Sequence, residues 1–312
     1  MRWDKNFLKI VRLLLERRTS FAMYGGIRFG GTMTIDSAFE LGFDHVALCA
    51  GAGRPTVIPM KNGLAPGVRQ ASDFLMALQL TGAAKPESIA NLTVRLPAVV
   101  IGGGLTAIDT ATESLAYYPV RSRSFCPAMR PWSPSVARRR CAQWTAAERE
   151  VATEFIAHGR AIRAEREAAR RESRAARLAN LIDSWGGITI AYRRRLIDSP
   201  SYTLNHEEVA KAMEEGIRFA ELLTPVEVEV DVFGQAAALR LTRQPAEPEG
   251  APEEVRMPAR TILVAGGRNP TRCWAARIPR MSSSTGVISA RSTKKGTRPP
   301  PNGRRSPRRC EC

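Results

Sequence analysis

The residues best placed to do chemistry are a run of three glycines. Leu96-Pro-Ala-Val-Val-Ile101 is an apolar stretch of strand length, and Gly102-Gly103-Gly104 closes it. Leu105, Ile108, Ala111, Thr112 and Leu115 then recur at helical spacing. In a strand–turn–helix setting, Gly102, Gly104 and Ala107 fit a dinucleotide-binding fingerprint. The first small residue permits the tight turn, the second lets backbone approach a pyrophosphate, and the third lets helix pack on strand. Gly103, Leu105 and Thr106 complete the segment, whose helix N-terminus offers free N–H groups to an anion. A glycine turn that binds nothing is the competing reading.

Two further features bear on the same chemistry. Tyr192-Arg193-Arg194 ends the next expected strand, Ile188 to Tyr192. An acid there would hold a ribose 2′-hydroxyl, whereas Arg193 and Arg194 would hold a 2′-phosphate, which points to NADP. A solvated basic turn is the alternative. About 80 residues or more separate the two strands, where roughly 20–25 are usual, so the span between carries an insertion. The remaining feature is a pair of similar strand ends, Val46 to Gly53 and Ile262 to Gly267. Small residues at Ala50, Gly51, Ala265 and Gly266 would let backbone lie close to a flat cofactor; a buried strand with a tight turn reads equally well.

The order of these motifs resembles the NADPH-binding flavoproteins related to the small chain of glutamate synthase. Their Gly-Gly-Gly-Asn-Thr-Ala-x-Asp segment is similar to Gly102 through Asp109, with Leu105 in place of Asn. Their Tyr-Arg-Arg, Glu-Glu-Gly and Ala-x-Gly segments resemble Tyr192-Arg193-Arg194, Glu214-Glu215-Gly216, Ala50-Gly51-Ala52-Gly53 and Ala265-Gly266-Gly267. A following Pro matches Pro200, and a Gly-Val…Phe-Leu segment matches Gly67-Val68 to Phe74-Leu75. The resemblance covers about residues 1–120 and 144–270. It implies NADPH and FAD as cofactors, hydride transfer from nicotinamide to flavin, and onward passage of electrons to a partner protein or subunit.

The chain also departs from that pattern. No Gly-rich βαβ for the FAD pyrophosphate precedes Leu96, and the family's closing Gly-Asp motif is missing after Gly267. Pro55 and Pro59 suit a loop rather than a helix after Gly53. The expectation is a truncated flavoprotein with weak or lost FAD binding.

The elements that must position these residues give an α/β fold. Two Rossmann-like dinucleotide-binding domains are expected, the FAD domain incomplete. Residues 1–95 would be its remnant and 96–270 the NAD(P) domain. Within the latter, 121–187 would be an insertion, disordered over 121–143 and helical over 144–185. Residues 271–312 would be a disordered basic tail. Smaller expectations are an amphipathic helix near the N-terminus, a helix from Ile35 to Leu41, and a buried strand His45–Ala50. Ser72 should cap a helix reaching Leu80, Thr145 and Glu148 should form a capping box, and Gly186-Gly187 should end the helical insertion. Asn205 should cap a helix to Leu222, and Val226–Val232 should pair with Ala236–Thr242.

Composition narrows the partners. The 312 residues carry a net charge of +17, of which Arg121–Gln143 supplies +6 and Thr271–Cys312 supplies +10. Both stretches mix Arg, Ser, Pro and Cys without period. They read either as basic interaction segments or as a GC-rich gene translated out of frame, and the family pattern resuming at Trp144 favours the latter. No aromatic stacking pattern accompanies the charge, so nucleic acid is not an expected partner. No apolar run reaches membrane-spanning length, and a cytoplasmic protein without a membrane partner is expected. The three histidines, His45, His158 and His206, lack metal spacing, and no residue stands out as a catalytic acid, base or nucleophile.

Overall fold

Three short apolar runs, 98–101, 188–191 and 261–264, form the centre of one parallel sheet in the computed structural model. The structure describes residues 7–47, 49, 55–85, 88, 90, 92–128, 143–245, 251–267 and 287–289. In chain order the helices are α1 (Leu8–Glu16), α2 (Ile35–Glu40), α3 (Ala71–Leu80), α4 (Leu105–Ala128), α5 (Ala146–Arg171), α6 (Leu178–Ser184) and α7 (Pro200–Glu214). The strands are β1 (His45–Ala47), β2 (Val68–Gln70), β3 (Ala98–Ile101), β4 (Ile188–Ala191), β5 (Arg218–Ala220), β6 (Leu223–Val230), β7 (Ala236–Arg243), β8 (Glu253–Pro258), β9 (Thr261–Val264) and β10 (Val287–Ser289). The described residues therefore form an α/β fold.

The larger of two units contains residues 52–270. Its five-stranded parallel sheet has the order β2-β9-β3-β4-β5. Residues 52–95, grouped by sequence with the N-terminal segment, contribute β2 and α3 to this unit. Side chains alternate along each strand, so the sheet has two buried faces. Val100, Ala98, Ile188, Ile190 and Leu263 pack against α3, α4, α5 and α7 through Phe74, Ile108, Phe155 and Val209. Val99, Ile101, Ala191, Ile262 and Val264 face the antiparallel β6-β7-β8 sheet through Val228, Leu239 and Leu241. Covering on both faces explains why β3 and β9 are apolar at nearly every position.

α4 runs eight residues past Val120, where the sequence pattern is lost, so Arg121–Ala128 is helical and not disordered. The half-buried Arg121 and buried Ser122 continue its packed face, with Ser122 Oγ donating to the Tyr118 carbonyl (2.9 Å). The rest of the expected disordered stretch, 129–142, lies outside the described residues. α5 opens with the expected capping box: Glu148 N–H donates to Thr145 Oγ1, and Thr145 N–H to Glu148 Oε2. It does not continue to Trp185. The chain turns at Ser173, held by Arg174 bridging Glu165 and Glu172, before α6 begins.

Other elements differ from the sequence reading in instructive ways. Ser72 is not a cap; the helix begins one residue earlier, and Ser72 Oγ is buried without a hydrogen-bond partner. α7 starts at Pro200 with Ser199 as cap, and Asn205 kinks it (φ −153°, ψ 57°). It ends at Glu214, so the expected helical residues 218–220 instead form the edge strand β5. β8 adds a strand where the sequence reading assigns no element; its alternating charges pair across the sheet, Arg240 with Glu254 and Arg256 with Glu229.

The smaller unit holds residues 13–51 and 271–312. α2 is capped by Thr34, whose Oγ1 accepts the Ser37 N–H. β1 pairs antiparallel with β10, so three residues of the tail expected to be disordered lie in a strand. β1 is exposed at His45 and Ala47 rather than buried. α1 buries none of its residues.

Aromatic packing joins α4, α5 and the end of α6. Tyr118 Oη and His158 Nδ1 are 2.5 Å apart, and the His158 ring stacks on Trp185 at 3.7 Å. Burial pushes the His158 pKa below its ordinary value, against the attraction of Glu154. As pH falls through about 6.5 the unfolded chain therefore takes up this proton first, and stability drops. The carboxylates whose pKa values are lowered, such as Glu148 and Glu227, lose stability only in a more acidic window. Denaturation midpoints should thus fall between pH 7.5 and 5.5, and His158→Gln should flatten that slope. An unchanged slope in the variant would contradict the assignment.

Candidate functional site

The candidate residues converge at the carboxyl ends of β3, β4 and β9. β3 is the switch point of the larger unit: the chain leaves it toward β4 and later returns to its other side as β9. Open α/β sheets bind ligands in the crevice at such a point. Here the crevice is a cleft of about 570 Å³. Gly102, Gly103, Gly104, Thr106, Arg193, Ala265 and Gly266 all line it.

Backbone contact shapes the floor. Gly102 N–H donates to the Ala191 carbonyl (3.0 Å), and Ala265 N–H to the Ile101 carbonyl (2.7 Å), extending the ladders past the strands. Gly102 has φ +155°, and a Cβ there would meet the Ala265 carbonyl. A Cβ on Gly103 would enter the Tyr192 ring. Gly104 differs: nothing lies within 4 Å of its Cβ position, although its backbone faces the cleft. The first two glycines thus serve close packing, and the third leaves room for something outside the protein.

α4 begins immediately after Gly104. Its first turn leaves N–H donors without intrahelical partners, and the long helix adds partial positive charge there. Ala107 is fully buried and packs α4 on the sheet, while Leu105 is half-buried against the same core. Neither lines the cleft; both position its rim.

The Tyr192–Arg194 segment is pinned by the 220–223 segment beside it. Tyr192 N–H donates to the Ala220 carbonyl (2.8 Å), Leu223 N–H to the Tyr192 carbonyl (2.9 Å), and Leu222 N–H to the Arg194 carbonyl (3.3 Å). Arg193 is exposed and lines the cleft. Arg194 is exposed but is not part of the cleft wall, and Arg195 pairs with Asp198 at 2.8 Å. Among the described residues Arg193 and Arg194 make no ion pair, although the hydrogen bond from Arg195 and the nearby charge of Arg194 help to hold the Asp198 carboxyl below its usual range.

The opposite wall was not legible as a site. Thr56, Val57, Ile58 and Pro59 form it, tied to the β9 end by Thr56 N–H donating to the Gly267 carbonyl (3.0 Å). Gly266 keeps this contact close, since a Cβ there would lie 2.9 Å from Ile58 Cδ1 and displace the end of that side chain. Thr224 and Pro225 of β6 and Pro200 of α7 complete the lining. Pro55 and Pro59 signalled this loop, and Ser199-Pro200 carried the cap-then-proline signature of a helix start. Ala50 and Gly51 lie outside the described residues.

Tyr192 and Arg193 are the titratable residues of the cleft wall. Among the described residues the wall therefore has the means to bind an anion and shows no carboxylate, imidazole or thiol for acid–base or nucleophilic work. Among the described residues no group of His, Cys, Asp or Glu is arranged to hold a metal. None of their helices is long and apolar enough to cross a membrane.

No family model matches the chain. It is 40% identical over 242 residues to the Rickettsia prowazekii (strain Madrid E) protein named "Uncharacterized protein RP006", covering 78% of this chain and 32% of that protein. It is 25% identical over 283 residues to "Putative oxidoreductase AegA" of Escherichia coli (strain K12), covering 84% of this chain and 32% of that one. The chain spans about a third of the length of these curated relatives. Among solved structures, Mycobacterium tuberculosis FprA in complex with NADPH is similar at 15% identity and a TM-score of 0.44, covering 85% of this chain and 58% of that chain.

The glycines separate fold from binding. Gly103→Ala should destabilise the protein by about 2 kcal/mol, because the Tyr192 ring must move. Gly104→Ala should leave stability within about 0.5 kcal/mol and weaken a bound dinucleotide roughly tenfold or more. Melting curves and titration calorimetry on the two variants measure both effects.

Proposed function

We propose that this chain is the NADPH-binding portion of an FAD-dependent oxidoreductase of the glutamate synthase small-chain type. One observation carries the reading: Gly104, with open space beside it at the head of α4, shares a cleft with Arg193. That arrangement suits a pyrophosphate at the helix N-terminus and a 2′-phosphate at the arginine. Nicotinamide, when bound, supplies a hydride, and the cofactor rather than a protein side chain carries that chemistry. The described residues of the wall, which include no carboxylate, imidazole or thiol, suit this division of labour.

FAD and the electron acceptor stand on a different footing. β3–α4 is one strand–glycine–helix unit and fits one pyrophosphate; the described residues hold no second such unit. FAD enters through the sequence resemblance, supported by similarity to a protein named as an oxidoreductase. A partner protein or subunit would receive the electrons. The second reading is an NADP(H)-binding protein without turnover, favoured by the same lack of acid–base groups. Flavin content of the purified protein separates the two.

The cofactor preference tests the reading. Wild type should bind NADPH at least about tenfold more tightly than NADH, the scale of one charged hydrogen bond. Arg193→Ala should abolish that preference, and Arg194→Ala should reduce it less, since Arg194 stands outside the wall. Equal losses for NADPH and NADH would refute the 2′-phosphate role.

A further inference from the structure

Ser199, Pro200 and Ser201 open α7 beside the glycine turn. Ser199 and Ser201 are almost fully buried, at 0% and 1% exposure, although both are polar. Their hydroxyls form a directed chain. Tyr202 N–H donates to Ser199 Oγ at 3.1 Å, and the two serine oxygens are 3.1 Å apart. Ser201 Oγ donates to the Gly103 carbonyl at 2.9 Å. Since the Ser201 proton is spent on Gly103, the Ser199 hydroxyl donates to Ser201. The Ser201 backbone N–H also donates to the Gly103 carbonyl, at 3.3 Å. The carbonyl of the middle glycine thus takes two hydrogen bonds from a helix about 100 residues further along the chain.

This fixes more than a carbonyl. The peptide between Gly103 and Gly104 is a planar unit whose C=O and N–H point in opposite directions when trans. With the C=O held toward α7, the Gly104 N–H is turned away from α7. Gly104 is also the glycine of the turn with open space beside it. Resting on the nucleotide reading above, we propose that Ser201 is a positioning residue: it locks the Gly103–Gly104 peptide so that the Gly104 N–H is presented to the ligand pyrophosphate. Ser199 acts through Ser201, and hydrogen bonds in series strengthen one another. α7 starts six residues after Arg194, so one short segment carries both the arginines and the lock on the phosphate loop.

The test uses the full chain and three probes: NADPH, ADP and adenosine 2′-monophosphate. ADP carries the pyrophosphate alone, and the 2′-monophosphate carries the ester phosphate alone. Ser201→Ala should weaken NADPH and ADP by about tenfold each and change the 2′-monophosphate by less than about twofold. Ser201→Thr, which keeps the hydroxyl, should restore NADPH and ADP binding, and melting curves check that each variant folds. Unchanged ADP binding in Ser201→Ala would overturn the proposal. So would a parallel loss of all three probes, which marks a purely structural role. If wild type binds neither NADPH nor ADP, the nucleotide reading itself fails, a result distinct from either.

Discussion

The close approach of the β3–α4 turn to its neighbours is the constraint on which the site rests. Gly102 abuts the Ala265 carbonyl, and Gly103 abuts the Tyr192 ring. These contacts bring the ends of β9 and β4 against the central strand without an intervening side chain. A larger residue at either position would push the strand ends apart and open the floor of the cleft. Gly104 is then carried to the mouth, where the backbone is bare. Packing at two glycines therefore creates the opening at the third.

The rest of the larger unit keeps those strand ends in register. Helices cover one face of the sheet and β6-β7-β8 the other, so the central strands are held from both sides. At the strand-start end Arg95 is nearly buried and bonds Glu150, Glu154 and Gln235, joining α5 to the β3 entry and the β6–β7 turn. Arg260 reaches the same Glu154 from the β9 entry. A buried arginine of this kind costs desolvation and is tolerated because its donors are met. The insertion is thus tied into the fold by charge at one end of α5 and by the Tyr118–His158–Trp185 contacts further along.

Much of this was legible in the sequence, and the exceptions have physical causes. Apolar runs over 98–101, 188–191 and 261–264 announce strands buried on both faces, and the glycines that follow β3 announce its turn. The Arg193 position followed from the strand end. The Thr56–Pro59 wall did not, because it is a loop of ordinary residues that reaches the cleft only through tertiary pairing with Gly267. Ser201 was likewise invisible: its role depends on a carbonyl far away in sequence. α7 was misplaced because a helical pattern over 205–222 masked both the Ser199-Pro200 start and the edge strand that pairs with β4. The continuation of α4 past Val120 was hidden by an arginine- and serine-rich sequence that shows no helical period.

Hydrogen–deuterium exchange with and without NADPH tests the central claim most directly, since it reads backbone N–H groups rather than affinity. The account predicts slower exchange confined to two stretches, Gly102–Ala107 and Tyr192–Tyr202, on adding NADPH. Protection that instead appears at the strand-start end, around Arg69, Arg95 and Trp144, with no change at Gly104, would contradict it.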